Sequence, residues 1–273
     1  MRSVGAVQTA RHLPRKDQVR EAFSAAFDYD RYAIVQRRAA DHLAARLGAL
    51  TLPEGAKICE VGCGTGLLGL ALGQRFPDVR WLATDLSPEM VRRAQAALAG
   101  DRRFDFAIVD AENPEPLAEA GPFDLICSNF AAQWFSDLEE TLTGLSRFLK
   151  GGGRMLITTL AHGSFAEWRR AHSDLGLSSG GPTYPTVDAL RRLSPGGLAS
   201  IVDVYQDAEI FASGRDFLAS LRSIGATTPL QGHVALRPSE MRRVVRRFEE
   251  LGCVTTYQIA TLEFQAGDEP KRA

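Results

Sequence analysis

Three carboxylates and a run of glycines carry the chemistry legible in this sequence. Glu60 precedes Gly62, Gly64 and Gly66 in Ile58-Cys59-Glu60-Val61-Gly62-Cys63-Gly64-Thr65-Gly66. Asp85 closes the apolar run Val79–Thr84, and Asp110 closes a third run, Phe104–Val109. An apolar run ending in glycines and followed by a helix, here Leu67–Phe76, reads as strand, tight turn, helix. Such glycines let the backbone come close to a nucleotide-like ligand that faces the helix N-terminus. The spacing departs from the dinucleotide pattern G-x-G-x-x-G. A pyrophosphate would be repelled by Glu60, whereas a cationic ligand would not. Asp85 lies where the second strand ends, a place from which an acid accepts both ribose hydroxyls. Asp110 is placed to accept an adenine amino group.

A ligand with positive sulfonium and amino groups and a ribose fits this set, which points to S-adenosylmethionine. A fourth strand, Phe123–Asn129, runs into Phe130-Ala131-Ala132-Gln133-Trp134. These four features, in this order, resemble the class I S-adenosylmethionine-dependent methyltransferases.

The elements that must position these groups follow from periodicity. Residues 17–50 read as helices, with Phe23, Phe27, Ala33, Val35, Ala39, Leu43, Leu47 and Leu50 on the apolar face. Strands and helices then alternate to Leu160, which implies a parallel, doubly wound sheet. The spacing predicts helices at 88–98, with Ser87 as N-cap, and at 137–149, ended by Gly151-Gly152-Gly153 before a fifth strand at 154–160. Further helices are expected at 164–175 and from Thr186 to Leu193, strands at 201–211 and 254–264, and between those two strands helices at 214–224 and 238–251. About forty residues separate the last two strands, where a plain class I fold has a tight hairpin, so an inserted helical lid is expected there. The divisions read as 1–52 helical cover, 53–162 cofactor core, 163–265 the rest of the sheet with its lid, and 266–273 tail.

The 273 residues suit one large α/β domain with an elaboration. Their formal net charge of −1 indicates no global attraction to nucleic acid. Four cysteines (59, 63, 127 and 253) lack paired metal spacing and read as reduced, buried thiols, so no metal site is expected. No apolar run reaches membrane-spanning length, and residues 1–18 lack the apolar core of a signal peptide, so a cytoplasmic protein is expected.

Beyond the cofactor motifs, several segments resemble the malonyl-acyl-carrier-protein O-methyltransferases of biotin synthesis. These are residues 23–36 (FSAAFDYDRYAIVQ), 128–134 (SNFAAQW), 163–167 (GSFAE) and 255–258 (TTYQ), together with the lid segment 217–227 (FLASLRSIGAT). Gln258 departs from that family, where a histidine usually follows the tyrosine. The resemblance implies a seven-stranded, mostly parallel, Rossmann-like sheet with N-terminal helices and a lid before the last strand. It implies methyl transfer from S-adenosylmethionine to the free carboxylate of a malonyl thioester, borne by acyl carrier protein or coenzyme A. An ionised carboxylate needs a cation and hydroxyls to hold it, not a base.

On that reading Gln36, Glu60, Gly62, Cys63, Gly64, Gly66, Asp85, Leu86, Asp110, Ala111 and Asn129 surround the cofactor. Phe130, Gln133, Trp134 and Arg222 face the acceptor, with Arg222 pairing with its carboxylate and Tyr29 closing the site. Arg242, Arg243, Arg246 and Arg247 form either a solvated face balanced by Glu240, Glu249 and Glu250 or, aided by Arg169 and Arg170, a docking face for an acidic carrier protein. Two other functions stay open: a methyltransferase acting on a quinone precursor or a free acid such as aconitate, and a non-catalytic cofactor-binding assembly factor.

Overall fold

The computed structural model describes residues 15–73, 75–226 and 233–267. The expectations for residues 1–14 and 268–273, and for Thr227 of the lid segment, lie outside these described residues. In chain order the elements are α1 (Arg15–Ser24), α2 (Tyr29–Tyr32), α3 (Ile34–Leu47), β1 (Lys57–Val61), α4 (Leu67–Leu72), β2 (Arg80–Asp85), α5 (Pro88–Ala97) and β3 (Phe104–Ile108). There follow β4 (Phe123–Asn129), α6 (Leu138–Ser146), β5 (Leu149–Leu160), α7 (Ala166–Ser173), α8 (Val187–Arg191), β6 (Ile201–Ile210), α9 (Gly214–Ser223), α10 (Pro238–Glu250) and β7 (Val254–Gln265).

The strands form one seven-stranded sheet in the order β3-β2-β1-β4-β5-β7-β6. Its first five strands pair in parallel, and β7 runs antiparallel to both β5 and β6. The chain winds from β1 out to β3 and then returns to the other side of β1. That reversal opens a crevice at the C-terminal ends of β1 and β4, where an open α/β sheet binds its ligand. Both faces of these central strands are covered, which is why Ile58, Cys59, Leu125 and Ile126 read as continuous apolar runs rather than alternating ones. Leu43 and Leu47 of α3 pack with Ile58 on one side, and Leu142 and Leu145 of α6 pack with Ile126 on the other.

Two boundaries differ most from expectation. The helix after the glycine turn stops at Leu72 rather than Phe76, because Gly73 takes φ 51° and ψ −127°, outside the helical region. The fifth strand begins at Leu149 and runs through the three glycines instead of starting after them. A Cβ on Gly153 would sit 2.9 Å from the Lys150 carbonyl and 3.1 Å from that of Phe123. The glycines thus accommodate a register shift against β4, between Phe123 and Leu125, without ending an element. Ser87 caps α5 as expected, accepting from the Met90 N–H at 3.3 Å ahead of Pro88.

The insertion between β6 and β7 holds α9 and α10, which pack with α7 around Trp168, Phe217 and Phe248. Phe217 and Phe248 lie 4.9 Å apart, and Trp168 lies 5.0 Å from Phe217. This second, smaller apolar cluster gives the lid its own core beside the sheet. Among the described residues, no helix is long and apolar enough to cross a membrane.

Candidate active site

Two adjoining clefts open at the C-terminal ends of the strands. The first, of about 810 Å³, is bordered by Gly62, Gly64, Asp85, Leu86, Asp110, Ala111 and Asn129, so seven of the residues assigned to the cofactor come together there. Gly62 and Gly64 adopt φ 68° and 54°, conformations that an L side chain resists. A Cβ on Gly62 would meet that of Ala131 at 2.3 Å, whereas one on Gly64 would meet nothing within 4 Å. The turn therefore packs tightly on one side and leaves backbone open toward the cleft. Gly66 lies behind this surface as the left-handed cap of α4, and the Cys63 N–H is spent on the Thr84 carbonyl at 2.8 Å.

Asp85 is fixed from both sides. Its Oδ2 accepts the Gly64 N–H at 3.0 Å and its Oδ1 the Ser87 N–H at 2.8 Å. Burial raises its pKa above the ordinary carboxylate value, and the backbone bonds oppose that rise. Each oxygen retains acceptor capacity for a hydroxyl. Asp110 receives Lys16 Nζ at 2.8 Å, Asn113 Nδ2 at 2.8 Å and the Glu112 N–H at 3.0 Å. Burial pushes Asp110 up, but these donors outweigh it and hold the carboxyl below its usual range. Lys16 also pairs with Glu112 at 2.6 Å, so α1 is clasped across this end of the cleft. Lys16, Arg20, Phe23, Met90 and Glu112 border the cleft and were not anticipated.

Glu60 corrects an expectation. It borders neither cleft; it is buried beneath the turn, where its Oε2 accepts the Trp81 indole N–H at 3.1 Å. Burial pushes its pKa up to about 8, so at neutral pH it is mainly protonated.

The second cleft, of about 1310 Å³, lies between the sheet and the lid. It is bordered by Gln36, Gln133, Phe165, Trp168, Arg169, Tyr184, Leu218, Leu221, Arg222, His233 and Tyr257, among others. Gln36 thus borders this cleft rather than the first; its backbone carbonyl receives Asn129 Nδ2 at 3.0 Å. Arg222 stands exposed at the rim, and its guanidinium has no hydrogen bond or ion pair among the described residues. Arg169 donates to the carbonyls of Ser164 and His162. Gln258 lies outside both clefts: its Oε1 accepts the Gly163 N–H at 3.0 Å and pins the corner that leads into α7.

Phe23, Tyr29, Phe130 and Trp134 border both clefts. Phe130 has φ 57°, a strained conformation held by its N–H bond to Thr158 Oγ1 at 3.0 Å and by Gln133 Nε2 donating to its carbonyl at 2.7 Å. Burial, with Asp85 and Asp30 nearby, raises the Tyr29 pKa well above the ordinary phenol value, so its hydroxyl stays protonated. The open backbone at Gly64, the two-sided hold on Asp85 and the apolar passage between the clefts fit S-adenosylmethionine in the first cleft.

Residues 59–155 match the family model described as a methyltransferase domain. The chain is 42% identical over 248 residues to the biotin biosynthesis bifunctional protein BioCD of Bordetella avium. That match covers 91% of this chain but 52% of the relative, so the chain spans about half the length of that protein. It is 37% identical over 250 residues to the malonyl-acyl-carrier-protein O-methyltransferase of Magnetococcus marinus, covering 90% of this chain and 91% of that one. Among solved structures it resembles the YcgJ protein of Bacillus subtilis, with TM-score 0.59 at 15% identity over 85% of this chain and all of that one. It also resembles a Haemonchus contortus phosphoethanolamine N-methyltransferase solved with S-adenosylhomocysteine, with TM-score 0.57 at 14% identity, covering 94% of this chain and 61% of that one. With the fold and the glycine–Asp85 cleft in place, the relationship to the Magnetococcus protein, over 90% of this chain and 91% of that one, settles the affiliation: the chain belongs to the malonyl-acyl-carrier-protein O-methyltransferases, class I S-adenosylmethionine-dependent enzymes.

Proposed function

We infer that the protein transfers a methyl group from S-adenosylmethionine to the free carboxylate of a malonyl thioester, giving the methyl ester used in biotin synthesis. One observation carries the choice of acceptor. None of the described residues bordering the second cleft is Asp or Glu, while Arg169, Arg222 and His233 all border it. A carboxylate entering this largely apolar space meets the guanidinium groups of Arg169 and Arg222 and no like charge.

The bound cofactor supplies an electrophilic methyl on a sulfonium. The protein's own part is to align and dehydrate. Gly62, Gly64 and Asp85 hold the nucleoside, the rings of Phe23, Phe130 and Trp134 wall the passage, and Tyr29 orients the reacting groups as a neutral hydroxyl. An ionised carboxylate has no proton to give up, so no base is required. Arg222, whose guanidinium fork matches two carboxylate oxygens, is the anchor.

Acyl carrier protein is the inferred carrier, and Arg242, Arg243 and Arg246, all exposed on α10, are the residues that would meet its acidic surface. Arg247 is already engaged with Asp174 at 2.8 Å and Glu250 at 3.0 Å, which leaves it a structural part in holding α10 to α7. The cytoplasm is the compartment that goes with this reading.

The test is kinetic. Arg222→Ala should lower kcat/KM for the malonyl thioester by about 10- to 100-fold, and Arg222→Lys by less, since lysine keeps the charge and loses the fork. Affinity for S-adenosylhomocysteine should stay within about threefold of wild type, because Arg222 does not border the first cleft. Unchanged kcat/KM in folded Arg222→Ala would remove Arg222 as the anchor.

A further inference from the structure

Helix α1 touches the chemistry of both clefts. It covers the first cleft with Lys16, Val19, Arg20 and Phe23, and of these only Phe23 also borders the second. The Phe23 ring meets Trp134 edge to face, with centroids 5.5 Å apart and planes at 86°, and lies 6.3 Å from Tyr29. At its far end α1 is clasped by the pairs from Lys16 to Asp110 and Glu112.

At its near end α1 abuts the lid. A Cβ built on Gly225, which has φ +71°, would stand 3.0 Å from the Ala22 carbonyl oxygen and 3.1 Å from the Phe23 nitrogen. Backbone here lies against backbone, with no side chain between. Gly225 lies just beyond the end of α9, and its N–H donates to the carbonyl of Arg222 at 3.1 Å. A shift of α1 therefore passes to the turn that carries Arg222, since no rotamer is available to absorb it.

We propose that α1 couples the two clefts, with Phe23 and Gly225 as positioning residues that let occupancy of the donor cleft set the Arg222 lid, so the acceptor binds tightly only after the donor. A nucleoside in the first cleft packs against Val19 and Phe23 and holds α1 down. Phe23 then completes the aromatic wall of the second cleft, and the Ala22–Gly225 contact seats the end of α9. Linkage makes this coupling reciprocal, so acceptor and its product in turn hold the donor in place. The proposal rests on the acceptor reading only where Arg222 is concerned; the mechanical link stands on α1 and α9 themselves.

The experiment uses S-adenosylhomocysteine at saturation and two variants, Phe23→Ala and Gly225→Ala. Amide exchange is followed over residues 218–226, and the affinity for malonyl-coenzyme A is measured with and without the nucleoside. In wild type the nucleoside should slow exchange in that segment and tighten malonyl-coenzyme A binding by about tenfold. Both variants should lose the slowing at full donor occupancy, and the tightening should shrink to less than about twofold. Gly225→Ala presses on the Ala22–Phe23 backbone and is therefore read at nucleoside saturation, fixed by direct titration of each variant, which separates coupling from donor binding. Phe23→Tyr should restore the slowing that Phe23→Ala loses. Undiminished slowing in both variants, or none in wild type, would overturn the coupling, as would malonyl-coenzyme A binding that ignores the nucleoside. If the slowing behaves as predicted but wild type binds neither malonyl-coenzyme A nor malonyl-acyl carrier protein, the acceptor assignment fails while the coupling stands.

Discussion

Replacing Asp85 by asparagine removes a charge from the donor cleft with almost no change of shape. In the native cleft both carboxylate oxygens already accept backbone donors, Gly64 at 3.0 Å and Ser87 at 2.8 Å, and each retains a lone pair for a ribose hydroxyl. In Asp85→Asn one oxygen becomes an NH₂, which turns a donor toward either the Gly64 or the Ser87 N–H and cannot accept the hydroxyl on its side. A hydrogen bond to a charged acceptor contributes about 1.5–3 kcal/mol. Losing one and weakening the other should cost about 2–4 kcal/mol of binding, or roughly 30- to 1000-fold in Kd. Because burial raises the pKa of Asp85, wild-type affinity should fall as pH drops through that raised value, while the variant should show no such step. Calorimetric titration with S-adenosylhomocysteine over a pH series reads both effects. A loss of less than about threefold, or the same pH step in the variant, would refute the placement of the ribose on Asp85.

Glu60, raised to about 8 in the fold against an ordinary value of 4.5, keeps its proton in the native state while the unfolded chain releases it. Below the ordinary value it has no effect on stability; between the two values it costs progressively more as pH rises, and above about 8 the cost is complete. Glu60→Gln should thus exceed wild type in urea stability at pH 9 by about 2–5 kcal/mol, while the two nearly coincide at pH 5; a gap independent of pH would contradict this. Lys16→Ala should release S-adenosylhomocysteine about two- to fivefold faster, the scale of a partly exposed ion pair. Added salt should speed release from wild type but not from the variant in stopped-flow traces, and equal salt sensitivity would show that the clasp does not hold the cleft closed.

The donor cleft was legible because its parts are local. Gly62, Gly64, Asp85 and Asp110 sit at the ends of apolar runs, and a parallel sheet brings the ends of its strands together whatever the loops do. Glu60 belongs to the same motif but fills a different role: sequence places it before the glycines, and only packing shows Trp81 above it and the cleft on the other side of the turn. Lys16 was invisible because its partners lie 94 and 96 positions away, on a loop beyond β3, and a lysine on an amphipathic helix carries no mark of such a pairing. The three glycines before Arg154 misled because a glycine cluster usually ends an element, whereas here it makes room for a bulge within β5. Around the acceptor, the lid segment was legible through resemblance. Arg169, Tyr184 and His233 reach the second cleft from loops and a helix whose placement depends on the lid core of Trp168, Phe217 and Phe248.

The central claim is that the methyl goes to the free carboxylate of a malonyl thioester, and the position of the new methyl tests it most directly. Purified protein incubated with methyl-labelled S-adenosylmethionine and malonyl-acyl carrier protein should yield a product whose fragmentation places the label on the distal carboxyl oxygen. Mild alkali should release the label and regenerate the malonyl group. A label on carbon, nitrogen or a hydroxyl, or no transfer to malonyl-acyl carrier protein alongside transfer to a free acid or a quinone precursor, would contradict the account.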